Sequence, residues 1–144
     1  MEFRKAKEKD IFQILEIIKS NNPKYAKQMA LMEIQEMFSK SLCKPIYIVA
    51  EEKKKIIAFG GFNSSWLDNA IFNVFWVNVN PKYRRGGVGS MLICDLIKRI
   101  KETKDVKAKM ILISTKTPSF YKHLGFRQIT LRYDNEYILM SLNL

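Results

Sequence analysis

The sequence contains few residues of the kinds that build metal centres. Among 144 residues there are one histidine and two cysteines, Cys43 and Cys94. The two cysteines lack the spacing of metal ligands and fall in different predicted elements, so we expect no bound metal. Cys94 lies within the apolar run of a predicted helix, and we expect its thiol to be buried.

Long apolar runs are also absent. No run reaches the roughly 20 residues that a helix needs to span a bilayer. The first ten residues are mostly charged and lack the apolar stretch of a signal peptide. Charged residues make up 27% and hydrophobic residues 47% of the chain, as is typical of a globular domain. We therefore expect a single domain over residues 1–144, located in the cytoplasm and without a membrane partner.

Acidic residues are scarce relative to basic ones. The chain has 25 Lys and Arg against 14 Asp and Glu, which gives a net charge of +11. Such a balance is found in proteins that associate with nucleic acid, and we keep that class as an alternative. However, the lysines are scattered, and no segment interleaves aromatic with basic residues. We therefore rank nucleic acid last among the partners.

The most informative segment runs from Ile71 to Lys101. Its first part is rich in Ile, Phe, Val and Trp and predicts a buried strand, which Asn80 and Pro81 end. Its last part predicts a helix, because apolar residues recur at helical spacing: Val88, Leu92, Leu96 and Ile100. The basic, glycine-rich loop between them lies at a helix N-terminus, where free backbone N–H groups favour phosphate. The candidate phosphate-binding residues are Arg84, Arg85, Gly86, Gly87, Val88, Gly89 and Ser90.

This loop fits neither of two common nucleotide-binding motifs. The dinucleotide pattern G-x-G-x-x-G fails because Leu92 stands in the third glycine position, and no Gly-Lys-Ser/Thr follows as in a P-loop. The pattern R-x-x-G-x-G is met by Arg84, Gly87 and Gly89. Together with its strand and helix, the loop resembles the acyl-CoA pyrophosphate site of the GNAT N-acetyltransferase superfamily.

A second segment carries the same resemblance. Residues 120–126, Phe-Tyr-Lys-His-Leu-Gly-Phe, resemble the F-Y-x-x-x-G-F segment that these enzymes carry on a short helix after strand five. The predicted order of elements agrees with the family over the whole chain. The resemblance implies an α/β (α+β) GNAT fold: a mixed, mostly antiparallel sheet of about six or seven strands, with strands four and five parallel, and about four helices.

The resemblance also implies an activity and a co-substrate. The chain would move an acetyl group from acetyl-CoA to a primary amine by direct transfer in a ternary complex. Backbone groups of Val77, Asn78 and Val79 would bind the pantetheine arm, and the loop from Arg84 to Ser90 would hold the pyrophosphate. Tyr121 matches the family's general acid, which protonates the departing CoA thiolate.

The sequence assigns the catalytic roles only in part. Tyr121 could instead be a core aromatic residue beside the neighbouring phenylalanines. Many family members carry a glutamate on or near strand four as general base, but here no Asp or Glu occurs between Asp68 and Asp95. Glu33, Asp68 or bulk water could take that role, and the choice stays open. His123 lies two positions from Tyr121 on a helix, so the two side chains point to different faces.

The resemblance specifies the acceptor only as a primary amine. It could be a small amine, an amino acid, a polyamine, or a protein N-terminus or lysine. Candidate acceptor-site residues are Tyr25, Met29, Trp66, Tyr133, Asp134 and Glu136. The missing strand-four carboxylate is also compatible with a non-catalytic acyl-CoA-binding or sensing module. A homodimer is an expectation from the family alone.

Three local predictions are specific enough to check. Pro23 is predicted to start a second helix, whose apolar positions are Met29, Met32, Ile34, Met37 and Phe38. Gly60 and Gly61 predict a bulge or a close approach of two backbones. Residues 128–133 and 137–142 are predicted to form a final hairpin.

Overall fold

Residues 1–131 and 137–144 are described by a computed structural model of the chain. Its strands, numbered along the chain, are β1 (Glu2–Lys5), β2 (Ile46–Glu52), β3 (Lys55–Ser64), β4 (Ile71–Val79), β5 (Met110–Thr115), β6 (Arg127–Gln128) and β7 (Ile138–Asn143). They form one mixed sheet in the order β1-β2-β3-β4-β5-β7-β6. Neighbouring strands are antiparallel except for β4 and β5, which run parallel.

The helices in these residues are α1 (Ile11–Asn21), α2 (Lys27–Gln35), α3 (Val88–Lys101) and α4 (Pro118–His123). Short 3₁₀ turns occupy Glu8–Asp10, Glu36–Phe38 and Pro81–Tyr83. The predicted fold is therefore confirmed, with seven strands and four α-helices in the described part of the chain. None of the helices found there has the length and apolar character needed to cross a membrane.

The helices cover the two faces of the sheet. Successive side chains of a strand point to opposite faces, and along β2 they enter two separate buried clusters. Ile48 packs in the cluster that includes α3, whereas Tyr47 and Val49 pack with α1 and α2. The predicted apolar stripe of α3 is buried, as expected: Val88, Leu92, Leu96 and Ile100. β4, the middle strand of the sheet, is therefore packed on both faces and held in place.

A β-bulge interrupts β4 near its end. Phe59 pairs with Asn78 and Gly61 pairs with Phe75, so β4 holds one more residue than β3 between these pairs. Trp76, inside the bulge, has a left-handed backbone with φ 55°, which is rare for a bulky residue. A Cβ at Gly61 would lie 2.7 Å from the ring of Phe75. The prediction of a bulge at the paired glycines is confirmed, and the close neighbours of Gly61 are aromatic rings of Phe75 and Tyr47.

The parallel pairing of β4 with β5 ends early. The ladder runs from Ile71 opposite Met110 to Val74 opposite Ile113 and stops there. Beyond it, β5 continues on its other side with β7, while residues 75–79 of β4 pair with none of the described strands on the β5 side. The two parallel strands therefore separate at the bulge and leave a gap with unpaired backbone on the β4 side.

The second helix differs from its prediction. It begins at Lys27, not at Pro23, because the residues between form a turn in which Tyr25 N–H donates to the Asn22 carbonyl at 3.1 Å. Only a narrow stripe of α2 is buried, through Ala30 and Ile34. Three of the predicted apolar positions are exposed instead: Met29 at 53%, Met32 at 60% and Phe38 at 38%.

The expectation for Cys94 is wrong. Its side chain is exposed, because the buried face of α3 is already filled by Leu92, Ile93 and Leu96, and position 94 falls on the opposite side of the helix. The spacing of apolar residues correctly predicted the helix, but Cys94 does not belong to its buried stripe.

The final hairpin is shorter than predicted in the described residues. Only Arg127 and Gln128 pair as a strand, with Ser141 and Met140 of β7. One further bond continues the pairing, in which Ile129 N–H donates to the Leu139 carbonyl at 2.9 Å. The predicted turn and the adjoining end of the first strand, residues 132–136, lie outside the described residues.

Candidate active site

The basic loop connects β4 to α3 through two residues in left-handed conformation. Arg85 has φ 72°, and Gly87, the N-cap of α3, has φ 75°. A Cβ at Gly87 would meet nothing within 4 Å, so open space lies in front of the helix. Because a glycine N-cap has no side chain to bond the first-turn N–H groups, these groups stay available to an anion.

A cavity of about 570 Å³, here called the loop cavity, lies at this helix end. It is lined by ten of the predicted site residues: Val77, Asn78, Val79, Arg84, Arg85, Gly87, Val88, Gly89, Ser90 and Tyr121. Gly86 is the one predicted site residue that does not line it. Phe120 also contributes to the wall, and a Cβ at Gly89 would lie 3.4 Å from its ring. The structure thus brings the two sequence motifs to one cavity, while the roles of the residues stay predictions.

Tyr121 sits on α4 between two other aromatic rings. Its ring centroid lies 4.9 Å from that of Phe120 and 5.7 Å from that of Phe126, both in edge-on geometry. The residue is 6% exposed, and this burial raises the pKa of its phenol to about 12. It lines the loop cavity and also a second cavity. His123 lines neither, and its Nδ1 lies 2.6 Å from the Ser119 carbonyl.

The second cavity, here called the aromatic cavity, has a volume of about 590 Å³. Its aromatic lining comes from four separate parts of the chain: Tyr25, Phe75, Trp76, Tyr121 and Tyr137. It shares five lining residues with the loop cavity: Asn21, Val77, Asn78, Thr117 and Tyr121. The two cavities therefore adjoin at the β4–β5 gap. A molecule in one could react there with a molecule in the other.

Glu33 of α2 places a carboxylate in the aromatic cavity. One oxygen accepts a hydrogen bond from the Tyr25 hydroxyl and the other from the Trp76 indole N–H, each at 2.5 Å. The rings of Tyr25 and Trp76 are themselves in edge-on contact, with centroids 4.9 Å apart. The hydrogen bond to Glu33, helped by burial, raises the pKa of Tyr25 to about 12. The carboxylate is thus held by two donors that carry no charge.

Asp68, one of the two carboxylates considered as the general base, does not line either cavity. It precedes β4 by three residues, at the opposite end of the strand from the gap, where it forms an ion pair with Lys109 and accepts a bond from the Ala70 amide at 2.9 Å. The Lys109 contact lowers the pKa of this carboxyl. Among the described residues that line the two cavities, Glu33 is the only carboxylate.

Several candidate acceptor residues are not in the aromatic cavity. Met29 does not line it, and Trp66 is 80% exposed in the turn between β3 and β4. Tyr133, Asp134 and Glu136 lie outside the described residues. From the predicted set, Tyr25 is the residue that the structure places in the cavity.

Sequence reasoning missed Asn21, the last residue of α1. Its side-chain N–H₂ donates to the Asn78 side chain at 3.0 Å and to the Val79 carbonyl at 2.9 Å. Its side-chain oxygen accepts a bond from the Arg84 guanidinium. Asn21 therefore links α1, the gap strand and the basic loop. In the sequence it marked only the end of a helix, and no local signal pointed to these contacts.

Comparison with known proteins agrees with this architecture. A family model described as an acetyltransferase (GNAT) domain matches residues 44–128, more than half of the chain. The chain therefore belongs to the GNAT acetyltransferase family. No curated protein matches it significantly in sequence.

Solved structures share its fold along almost the whole length. A GNAT-family protein from Desulfovibrio desulfuricans has 16% identity and a TM-score of 0.85, with 99% of this chain and 98% of that one covered. An aminoglycoside 6'-N-acetyltransferase complexed with coenzyme A has 14% identity and a TM-score of 0.82, with 99% and 97% covered. A ribosomal-protein-alanine N-acetyltransferase from Brucella melitensis has 15% identity and a TM-score of 0.77, with both chains fully covered. Identities this low establish the fold and leave the acceptor open.

Proposed function

We propose that this protein transfers an acetyl group from acetyl-CoA directly to a primary amine in a ternary complex. The observation that carries the proposal is the meeting of two cavities at the β4–β5 gap, where both are lined by Asn78 and Tyr121. One cavity suits the donor and the other the acceptor. Direct transfer requires that both substrates be bound at the same time and close together.

The donor would lie in the loop cavity. The pyrophosphate would accept hydrogen bonds from the first-turn amides of α3, beside Arg84 and Arg85. The pantetheine arm would lie along the unpaired side of β4, at Val77, Asn78 and Val79, where the ladder to β5 has ended. One of the structural relatives was solved in complex with coenzyme A, which supports this choice of donor.

The reaction needs no covalent intermediate on the protein. The amine nitrogen would attack the thioester carbonyl carbon, so a C–N bond forms and the C–S bond breaks. The amine loses a proton and the CoA thiolate gains one. A backbone N–H of β4, which we assign to Val79, would stabilise the oxyanion. Placement of the amine beside the carbonyl would supply most of the acceleration.

Tyr121 would donate its hydroxyl proton toward the departing sulfur. Because its pKa is raised to about 12, the phenol stays protonated throughout the neutral pH range. Complete transfer of that proton to a thiolate, whose conjugate thiol has a pKa near 8.5, is uphill. Most of the benefit should therefore come from a hydrogen bond to the developing thiolate.

A thermal-shift titration with acetyl-CoA, CoA and ATP tests the donor site. We expect both CoA species to raise the melting temperature and ATP to leave it unchanged. Thiol release with a panel of primary amines then tests transfer. A non-catalytic CoA-binding module would show the first result and no thiol release with any amine, and absence of a shift with both CoA species would contradict the donor assignment.

A further inference from the structure

The aromatic cavity holds a carboxylate, and none of the cations in the described residues forms an ion pair with it. Glu33 is partly buried there, and the ion pairs found among the described residues involve other carboxylates. The cavity also contains Lys116, but its ammonium lies over the Tyr137 ring, 4.9 Å from the centroid. Placing a carboxylate in a half-buried site is costly unless a cation or several donors accompany it.

The two donors that hold Glu33 leave room for such a cation. Each carboxylate oxygen has about two lone-pair sites, and Tyr25 and Trp76 occupy one on each oxygen. Both donors are neutral, so they orient the carboxylate without cancelling its charge. The remaining lone-pair sites can accept hydrogen bonds from an ammonium group. Bonds of that kind are among the stronger ones in proteins.

The surrounding rings favour the same ligand. Tyr25, Phe75 and Trp76 all line the cavity beside the carboxylate. Aromatic faces attract cations, tryptophan most strongly, and they also bury the apolar body of a ligand. A carboxylate set among aromatic rings therefore fits a positively charged amine that carries an apolar group.

The position of Trp76 gives a reason for the bulge. Its left-handed backbone costs energy for a bulky side chain, and the bond from its indole N–H to Glu33 helps to hold it there. The same bulge begins the stretch of β4 that has no pairing to β5. Glu33 and the gap are thus connected through a single residue.

We propose that Glu33 is the acceptor-binding residue and that the acceptor is a cationic primary amine with an apolar body. The carboxylate receives the ammonium form of the amine, and the rings of Tyr25 and Trp76 cover its apolar part. The ammonium would release one proton to water before its nitrogen attacks the thioester, since only the neutral amine has a free lone pair. This inference rests on the proposed function, because it assigns the aromatic cavity to the acceptor. It names the acceptor by its charge and shape.

The test measures binding, so that it does not depend on turnover. Phenethylamine and its uncharged analogue 2-phenylethanol are titrated by calorimetry into the CoA-saturated protein. We expect the wild type to bind the amine at least tenfold more tightly than the alcohol. In Glu33→Gln, which keeps the side-chain shape, affinity for the amine should fall roughly 10- to 100-fold while affinity for the alcohol changes little.

Two further variants separate a binding role from a structural one. Tyr25→Phe removes one donor and keeps the charge, so most of the preference for the amine should remain. Glu36→Gln removes an exposed carboxylate just beyond α2, outside the aromatic cavity, and should bind like the wild type. If Tyr25→Phe lost the preference as fully as Glu33→Gln, the arrangement of the cluster would matter and not its charge, and the proposal would fail.

The outcomes distinguish this inference from the proposed function. CoA affinity in each variant shows that the fold and the loop cavity are intact. In one outcome the wild type binds CoA but neither probe, and in another it binds both probes without preferring the amine. Either result overturns the role of Glu33 and leaves the donor assignment unaffected. Binding of the amine through Glu33 with no thiol release from any amine upholds the cation site and contradicts the acetyltransferase proposal.

Discussion

The loop cavity and the aromatic cavity are built in different ways. Most of the loop cavity comes from one continuous segment, from Val77 to Ser90, and its main groups are backbone amides and glycines. The distinctive side chains of the aromatic cavity come from four separate places: Tyr25 from the turn before α2, Glu33 from α2, Trp76 from β4, and Tyr137 from the residue before β7. A site made largely of backbone depends on the course of one loop, whereas a site made of scattered side chains depends on how distant segments pack together.

The largest effect is expected where the two cavities meet. Tyr121→Phe removes the hydroxyl and keeps the buried ring between Phe120 and Phe126. We expect kcat to fall about 10²- to 10⁴-fold, because the thiolate loses its donor. Acetyl-CoA affinity and thermal stability should change little. Steady-state kinetics checks this, and an unchanged kcat would reduce Tyr121 to a packing residue.

The next largest effect is expected on acetyl-CoA binding in the loop cavity. Arg84→Ala removes a guanidinium that lines the loop cavity and bonds to Asn21. Loss of a charge-assisted contact to pyrophosphate should weaken acetyl-CoA binding roughly 10- to 100-fold. Lys82→Ala is the matched control, since Lys82 is exposed and does not line the cavity. Equal losses in the two variants by calorimetry would indicate a general charge effect and not a specific contact.

The bulge at which β4 separates from β5 can be tested through Gly61. In Gly61→Ala the new Cβ would lie 2.7 Å from the rings of both Tyr47 and Phe75, and Tyr47 is fully buried. We expect the free energy of unfolding to fall by roughly 1–3 kcal/mol. Gly86→Ala is the control, because its Cβ would meet nothing closer than 3.9 Å. Denaturant unfolding of both variants is the measurement, and a Gly61→Ala protein as stable as the wild type would show that the bulge tolerates the extra atom.

The smallest effect is expected at the carboxylate that lies away from both cavities. Asp68→Asn breaks a partly exposed ion pair with Lys109, so we expect little change in stability. We expect kcat to stay within roughly threefold of the wild type, since removal of a true general base would cost about 10²-fold or more. A loss of that size in a variant with unchanged stability would make Asp68 part of the mechanism.

The loop cavity was largely predictable because its signals are local. Glycines, basic residues and the change from strand to helix period all fall within the segment that ends with α3. Adjacent positions in sequence remain adjacent in a loop, so Arg84 and Gly89 reach the same cavity as predicted. The fold followed from the order of elements, and the paired glycines correctly indicated the bulge at Trp76.

The errors arose where a partner surface decides burial. Met29 and Met32 have the right helical spacing, but α2 buries only a narrow stripe at Ala30 and Ile34. Cys94 lies beside a correctly predicted stripe and still faces solvent. Spacing shows that a helix has an apolar face, and the width of that face depends on what packs against it.

The aromatic cavity was not predictable for a related reason. Glu33 is 43 positions from Trp76 in sequence, and Asn21 is 58 positions from Val79, yet each pair is hydrogen-bonded. No local pattern specifies such pairs. Glu33 stood beside Asp68 as an open alternative for the base, and only the tertiary structure separates their positions.

The central claim is that donor and acceptor meet at Tyr121 in the gap between β4 and β5. A crystal structure of the protein with CoA bound tests it most directly. We predict that the pyrophosphate lies at the first-turn amides of α3 and that the CoA sulfur lies in the gap, within roughly 3.5 Å of the Tyr121 hydroxyl. CoA bound outside the loop cavity, or with its sulfur directed away from Tyr121, would contradict the account.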